Sequence, residues 1–194
     1  MSANNMSYNK MSVRLHWLMA GLIILMLIVG ALMGYIPDSK LSLKIMVYNW
    51  HKTIGMLILL LAIVRIIWRL MHKAPPLPSY LKTWEVHLAR LVHFLFYLFM
   101  IAMPLVGWAL VSTSKFPSFL FNVKALKLPA LPFWQGLDKA HLHEVHEFFE
   151  ESHETLAILA VVLLVLHVAG AVKHMRSDQT YALRMMPWRA KKDA

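Results

Sequence analysis

The stretch that decides the fold is Thr155–Val172, TLAILAVVLLVLHVAGAV, which runs for 18 residues without a charged side chain. This length approaches the ~20 apolar residues that a helix needs to cross a bilayer. Leu15–Tyr35 and Leu91–Ser114 have the same character. A further apolar span runs from Trp50 to Met71, with Lys52 near one end and Arg65 and Arg69 near the other. The sequence therefore predicts an all-α integral membrane protein, folded as an antiparallel four-helix bundle.

The composition of the whole chain agrees with a bilayer environment. Of the 194 residues, 59% are hydrophobic and 15% charged, and the mean hydropathy is +0.55. Soluble domains are roughly half apolar and a quarter charged, so a soluble globule would expose a large apolar patch. The net charge of +10 is explained by the excess of Lys and Arg that membrane proteins carry in their cytoplasmic loops. We therefore expect no nucleic-acid partner.

The predicted helices cover residues of about 14–36, 50–71, 88–112 and 153–174, in a single transmembrane domain over 1–194. The first is too long for the core of a signal peptide, so we expect it to be retained. An outer loop follows at 113–152, with a short amphipathic surface helix around Leu137–Glu150, and a tail at 175–194.

Basic residues predict the orientation of the bundle. One set of segments has 11 Lys or Arg in 55 residues: the N-terminus up to Arg14, the 72–90 connection and the tail from Lys173. The connections 36–50 and 113–152 have 6 Lys or Arg in 55 residues. Because basic loops stay in the cytoplasm, both termini are predicted to be cytoplasmic.

Four histidines fall at matching depths in this topology. His153 and His167 are 14 residues apart, which is about 21 Å along a helix and nearly a whole number of turns, so they share one face. The first helix offers His16 at the inner depth, and the second offers His51 at its outer end. The spacing predicts two pairs stacked across the membrane, His16 with His167 and His51 with His153.

Two opposed imidazoles between apolar helices suit the iron of a haem b, so the sequence predicts two haem b groups. The chain has no cysteine, which excludes thiolate ligation and disulfides. Four cations near the predicted ligands suit the haem propionates: Lys52, Arg14, Arg65 and Arg69. Three small residues near them would let the macrocycle approach a helix closely: Gly55, Ala157 and Gly170. The alternatives are histidines that only form hydrogen bonds between helices, and a zinc site, which would need about four close ligands.

A polar niche is predicted beside the inner pair. His93 and His174 lie at the cytoplasmic ends of their helices, and Lys82 and Arg14 are near them in depth. These side chains suit the two carbonyl oxygens of a quinone entering from the bilayer. The alternative interpretation is that they are solvated residues of the interface.

The outer loop contains a second histidine cluster, His141, His143 and His146, with acidic neighbours. His143 and Glu147 have the i, i+4 spacing of a weak divalent-metal site, and a solvated helix face explains the same pattern. The sequence HEVHE does not match the H-E-x-x-H pattern of metalloproteases. The role of this cluster stays open.

Five motifs resemble the bacterial cytochrome b561 family: RLHW from Arg14, NWHKTIG from Asn49, ESHETLA from Glu151, LHVAGAVKH from Leu166 and LRMMP from Leu183. Its members are small dihaem four-helix proteins of the inner membrane, and they include a superoxide oxidase. The resemblance implies haem ligands at His16, His51, His153 and His167, and a quinone near residues matching His93, His174 and Lys82. In one departure, Arg14 stands where a small hydroxyl residue is expected.

These observations together predict transmembrane electron transfer. A donor, superoxide by resemblance, would be oxidised at the outer face, and ubiquinone would be reduced at the inner face. Outer lysines would attract the anion: Lys40, Lys44, Lys52, Lys115 and Lys124. Two alternatives stay open, a cytochrome b carrier serving a partner dehydrogenase and a non-redox membrane protein that binds divalent metal.

Overall fold

The computed structural model describes residues 8–76, 81–177 and 184–186, and every regular element in these ranges is helical. Four long helices follow one another: α1 (Lys10–Met33), α2 (Leu41–Met71), α3 (Thr83–Ser112) and α4 (Lys139–Ser177). Each is long and apolar enough to cross a membrane. In their most apolar 18-residue windows only 6–11% of residues are buried inside the protein, which suits helices with an apolar environment around them. The predicted four-helix membrane bundle is confirmed.

The prediction that α2 begins near residue 50 is wrong, because the helix begins at Leu41. A short 3-10 turn at Asp38–Lys40 leads from Pro37 into the helix, and Lys44 pairs with Asp38 at 2.7 Å. No helix-breaking residue separates residue 41 from His51. His51 consequently lies ten residues inside α2 rather than at its outer end.

The prediction of a separate surface helix before α4 is also wrong. Residues 139–177 form one continuous helix, and the outer loop therefore spans 113–138 rather than 113–152. Asp138 accepts hydrogen bonds from the backbone N–H groups of Ala140 and His141, which caps the helix start. These bonds and one from the His141 ring hold the pKa of Asp138 below its usual value. No Gly or Pro follows until Gly170, so nothing interrupts the helix.

The other two helices begin earlier than predicted for a similar reason. Asn9 accepts a hydrogen bond from the backbone of Ser12 at 2.8 Å and starts α1 at Lys10 instead of residue 14. The side chain of Glu85 accepts from the backbone N–H of Lys82 at 3.1 Å and starts α3 at Thr83 instead of residue 88. Capping groups, rather than hydropathy, determine these boundaries.

The connection 113–138 forms a structured cover over one end of the bundle, which we call the loop end. Phe121 and Asn122 adopt φ values of 53° and 57° and turn the chain back on itself. Asn49 of α2 donates to the side chain of Asn122 at 2.9 Å, and the hydroxyl of Thr53 accepts from the backbone of Phe121 at 2.8 Å. Both polar side chains of α2 are buried, so the cover is fixed to the helix.

Helix packing is uneven around the bundle. The contacts between neighbours in sequence dominate: α1 with α2, α2 with α3, and α3 with α4. The central core consists of Met19 from α1, Ile58 and Ala62 from α2, and Met100 from α3. In the described part of the chain α4 makes few close contacts with α1 or α2. The bundle therefore holds space between α4 and the two helices opposite it.

The opposite end of the bundle, which we call the terminal end, carries Tyr8, the start of α1 and the tail segment 184–186. Arg184 is 6% exposed, and its guanidinium donates to the carbonyl oxygens of Pro76 at 2.8 Å and Pro75 at 3.0 Å. The indole of Trp17 donates to the carbonyl of Met185 at 2.8 Å. The tail segment 184–186 thus closes on α1 and on the connection after α2. Parts of the 72–90 connection, of the tail and of the LRMMP motif lie outside the described residues.

Candidate haem sites

The terminal end contains the first histidine pair. His16 of α1 and His167 of α4 face one another with ring centroids 6.1 Å apart and planes inclined at 58°. Both lie well inside their helices, so the backbone holds each ring in place. The structure brings together the two residues that the spacing pairs, and their role as ligands stays a prediction.

The second pair lies at the loop end. His51 of α2 and His153 of α4 face one another at 6.3 Å between ring centroids, with planes at 71°. The Nδ1 atom of His51 is buried and has no hydrogen-bond partner among the described residues. A buried polar nitrogen without a partner is costly, so this arrangement indicates a pair built for a ligand rather than for packing.

The geometry of both pairs fits one metal ion held between two imidazoles. A metal–nitrogen bond of about 2 Å on each side, with about 1 Å from nitrogen to ring centre, spans roughly 6 Å in total. Each pair also joins α4 to a helix that it barely contacts directly. A flat macrocycle needs this space, and so the residues present fit a haem at each pair.

Two glycines that sequence reasoning missed lie against the loop-end pair. A Cβ atom on Gly107 of α3 would approach Cε1 of His153 to 3.0 Å, and one on Gly30 of α1 would approach Cε1 of His51 to 3.4 Å. By contrast, a Cβ on Gly170, which the sequence singled out, would meet nothing within 4 Å. The helix rotation, which hydropathy does not reveal, decides which glycine faces a ring.

The terminal-end pair has polar and aromatic neighbours instead. Arg65 of α2 reaches into the bundle, with Nη2 3.1 Å from Nδ1 of His16 and its guanidinium over the ring of Tyr97. Phe96 packs its edge on His167 at 5.2 Å. The imidazole and the aromatic ring thus give Arg65 two partners inside the bundle.

The predicted quinone residues gather only in part. His93 is exposed on the surface of α3, yet its ring lies 5.7 Å from the His167 ring, and its Nδ1 bonds to the Ala89 carbonyl at 2.6 Å. His174 is half-buried one heptad beyond His167 on α4. Lys82 and Arg14 are exposed. His93 therefore lies between the terminal-end pair and the exposed side of α3.

The predicted cations differ in how far they are neutralised. Lys44 pairs with Asp38, whereas half-buried Lys52 donates to the neutral hydroxyl of Ser118 at 2.8 Å. Among the described residues Lys52 forms no ion pair with a carboxylate. An ammonium in this position beside His51 suits a haem propionate.

The loop histidines separate instead of forming a metal centre. His141 bonds to Asp138, His143 lies 3.3 Å from Glu147, and Nδ1 of His146 lies 2.8 Å from the hydroxyl of Thr113. The residues that the structure describes contain no group of three or more metal-ligating side chains. This finding does not favour the metal-binding alternative.

The sequence profile of prokaryotic cytochrome b561 matches residues 7–188. The chain belongs to the prokaryotic cytochrome b561 family. Membership makes it a bacterial membrane protein of electron transfer and implies haem b as its cofactor.

Named relatives extend over almost the whole chain. "Cytochrome b561 homolog 1" of Escherichia coli is 27% identical over 186 residues, which cover 94% of this chain and 98% of the relative. "Probable superoxide oxidase CybB" of Yersinia pestis is 27% identical over 186 residues, covering 93% and 96%. "Cytochrome b561 homolog 2" of Escherichia coli is 27% identical over 194 residues, covering 96% and 94%. The family and its oxidoreductase character follow from these matches.

Proposed function

We propose that this member of the family is a dihaem cytochrome that oxidises superoxide at the loop end and reduces ubiquinone at the terminal end. The observation that carries the proposal is the stacking of two histidine pairs at opposite depths of one bundle. His16 with His167, and His51 with His153, are the pairs that would hold the two haem irons.

Haem b supplies reversible one-electron chemistry between ferrous and ferric iron. Each histidine pair would hold one such group between α4 and the helix opposite it. Because α4 carries a ligand of each pair, a single helix fixes their separation at 14 residues, or about 21 Å between the ligand Cα atoms.

The terminal end supports quinone reduction through His93. Its exposed position lets a ligand approach from the bilayer, and its ring contact with His167 brings that ligand close to the pair. The Ala89 carbonyl accepts from Nδ1–H, so Nε2 is the atom that can take up and deliver a proton. Ubiquinone takes two electrons and two protons, and His174 is a second candidate carrier for these protons.

The loop end supports oxidation of a small anion. Two superoxide anions each lose one electron and leave as dioxygen, which supplies the two electrons that one ubiquinone takes up. No proton moves in superoxide oxidation, so this half of the reaction needs no acid or base beside His51 and His153. The name of the Yersinia pestis relative supports superoxide as the donor.

The distribution of basic residues places the terminal end in the cytoplasm of the proposed topology and the loop end in the periplasm. Fusions of alkaline phosphatase and of a fluorescent protein to the C-terminus test this arrangement. Fluorescence without phosphatase activity is expected, and the reverse pattern would contradict the orientation.

The function itself is tested with the purified protein in detergent. A Soret band and reduced α-bands with two haems per chain are expected, followed by reduction of both haems when superoxide is mixed in a stopped-flow cell. Ubiquinol should form at one molecule per two superoxide anions. Absence of haem reduction by superoxide, or turnover that does not depend on quinone, would contradict the proposal.

The second candidate is a cytochrome b carrier for a partner dehydrogenase. Two of the named relatives are described only as cytochrome b561 homologues, which favours a general electron-transfer role as much as a superoxide-specific one. Copurification of a dehydrogenase that reduces the haems, in a protein unreactive towards superoxide, would support this candidate instead.

A further inference from the structure

The cover contacts α2 around His51. The two residues before this histidine and the two residues after it all touch one short segment of the cover, residues 118–122. They are Asn49, Trp50, Lys52 and Thr53. Because α2 begins at Leu41, these contacts lie well inside the helix. The segment 118–122 therefore holds the part of α2 that carries the histidine, rather than the end of the helix.

Asn49 binds this segment through both atoms of its side-chain amide. Its Oδ1 accepts from the backbone N–H of Phe119 at 3.3 Å, and its Nδ2 donates to the side chain of Asn122 at 2.9 Å. Asn49 is 3% exposed, and an amide buried to this extent needs such partners. Trp50 adds an edge-on contact with the ring of Phe121, at 6.0 Å between ring centroids.

Thr53 and Lys52 bind the same segment from the other side of His51. The hydroxyl of Thr53 accepts from the backbone N–H of Phe121 at 2.8 Å. The ammonium group of Lys52 donates to the hydroxyl of Ser118 at 2.8 Å. Thr53 is buried as fully as Asn49, so both hydrogen-bonding groups join the segment to the helix away from water.

The contacts surround α2 on every side except the one that carries the imidazole. Successive residues of an α-helix are rotated by about 100°, so Asn49 and Thr53 both project about 160° away from His51. By the same rule Trp50 and Lys52 project about 100° to either side of it. The segment therefore fixes the rotation of α2 about its own axis, because a turn in either direction breaks contacts.

The backbone of the segment adopts an uncommon conformation of its own. Phe121 and Asn122 have φ values of 53° and 57°, in the left-handed region. Asparagine tolerates this region, whereas a bulky aromatic residue rarely adopts it. Such a conformation persists where the surrounding contacts determine it, and here the N–H of Phe121 is bound by Thr53. The segment is thus a defined surface on which α2 rests.

Rotation of α2 decides where the His51 ring lies. A side chain reaches about 5 Å from the helix axis, so a rotation of roughly 20° moves the ring by about 2 Å. A bond from a metal ion to a ligand tolerates deviations of only about 0.2 Å. The rings of His51 and His153 lie 6.3 Å apart, which suits one metal ion between them. This separation depends on the rotation that the segment 118–122 fixes.

We propose that Asn49 and Thr53 are positioning residues, which act through the segment 118–122 to set the direction of the His51 imidazole at the loop-end haem. The inference rests on the proposed function in taking His51 as a haem ligand. Both side chains project from the opposite face of α2, so their effect passes through the helix backbone. Loss of one contact changes the angle and the strength of one axial bond, at one haem of the two.

The test uses the full-length protein purified with its haems, two variants of these contacts and one control. Thr53→Val replaces the hydroxyl by a methyl group of similar size. Asn122→Gly removes the side chain that Asn49 binds and keeps a residue that accepts a positive φ. The control is Thr113→Val, which removes a hydroxyl that is 5% exposed at the same end and contacts His146 instead of α2.

Electron paramagnetic resonance of the ferric protein measures ligand orientation, because the largest g value of a bis-histidine haem depends on the angle between the imidazole planes. The loop-end signal is the one that His51→Ala removes. Thr53→Val and Asn122→Gly should each shift this signal and leave the terminal-end signal unchanged. Thr53→Ser, which retains a hydroxyl, should give the wild-type signal. Two unaltered signals in both variants, or an equal shift in Thr113→Val, would overturn the proposal.

Haem release gives a second measurement, in which excess apomyoglobin takes up the haem that leaves the protein. Thr53→Val and Asn122→Gly should release the loop-end haem about tenfold faster, and Thr113→Val should change its release by less than about twofold. Equally accelerated release from both ends would show a general loosening of the bundle and would also overturn the proposal.

The proposed function fails in a different way. A wild-type protein that contains two haems and does not react with superoxide would contradict superoxide oxidation, while the shifts expected for Thr53→Val and Asn122→Gly would stand. Unaltered signals in these two variants of a protein that does oxidise superoxide would overturn the positioning role alone.

Discussion

The two histidine pairs have the same residue types and nearly the same separation, but their surroundings differ. The loop-end pair is packed against Gly30 and Gly107, and Nδ1 of His51 has no partner among the described residues. The terminal-end pair has the Arg65 guanidinium at hydrogen-bond distance and a third imidazole, His93, at 5.7 Å. Glycines pack against the rings of one pair, whereas a guanidinium and a third imidazole lie against the rings of the other.

This difference shows that the separation of the two rings and the side chains around them can vary independently. An enclosed pair suits transfer of an electron alone. A pair beside a cation and a proton-carrying imidazole suits a reaction in which electrons and protons arrive together, as quinone reduction requires. The proposed division of function between the two ends therefore rests on the neighbours of the histidine pairs and not on the pairs themselves.

The largest expected effect comes from removing one ligand at each end. His51→Ala should lower the haem content from two per chain to one and leave the terminal-end haem, and His167→Ala should do the reverse. Haem is quantified as the pyridine complex, and the surviving group is identified by its electron paramagnetic resonance. His143→Ala, on the exposed start of α4, is the control and should keep both haems. Retention of two haems in His167→Ala would show that the pairing is wrong.

Overpacking should act on the loop end alone. Gly107→Ala places a methyl group 3.0 Å from the His153 ring, so the ring or the helix must move. We expect destabilisation of about 1–3 kcal/mol and a changed resonance of the loop-end haem. The matched control is Gly170→Ala, where the added methyl meets nothing within 4 Å and both haems should be unchanged. An altered terminal-end haem in Gly107→Ala would break the comparison.

The cation at the terminal end should affect one reduction potential. Arg65→Met removes a positive charge beside His16, which disfavours gain of an electron at that site. The potential of the terminal-end haem should fall by roughly 30–60 mV, equivalent to a three- to tenfold change in the equilibrium. Redox titration monitored at the α-bands measures it. Arg69→Gln, one turn away and exposed, serves as the control. A fall of equal size in both haems would contradict a local effect.

The smallest expected effect concerns the tail. Arg184→Ala leaves the carbonyls of Pro75 and Pro76 without their donor, at an expected cost of about 1–3 kcal/mol in the free energy of unfolding. Thermal unfolding measures this loss. Arg176→Ala, which removes an exposed arginine at the end of α4, should change stability by less than about 0.5 kcal/mol. Equal losses in the two variants would show that the buried contacts of Arg184 contribute nothing.

The sequence predicts the helices well because a bilayer imposes one simple rule on apolar length. It predicts their starting residues poorly, since α2 and α4 continue through polar residues beyond the apolar stretch. The 14-residue spacing of His153 and His167 determines which histidines can pair. It does not reveal that Gly107 faces His153 or that Arg65 turns inward. Both facts depend on the rotation of one helix against another, which a single sequence does not encode in its periodicity.

The buried contact of Arg184 has a consequence for the order in which the molecule is assembled. A chain is synthesised from its N-terminus, so Tyr8, Trp17 and the two prolines are in place before residue 184 exists. The tail joins the backbone of Tyr8 and the indole of Trp17 only after α4 has crossed the bilayer. These bonds are thus the last to form, and a chain that stops short of them leaves the Trp17 indole without the Met185 carbonyl. The contacts of the tail with Tyr8 and Trp17 can therefore form only in a chain that has all four helices.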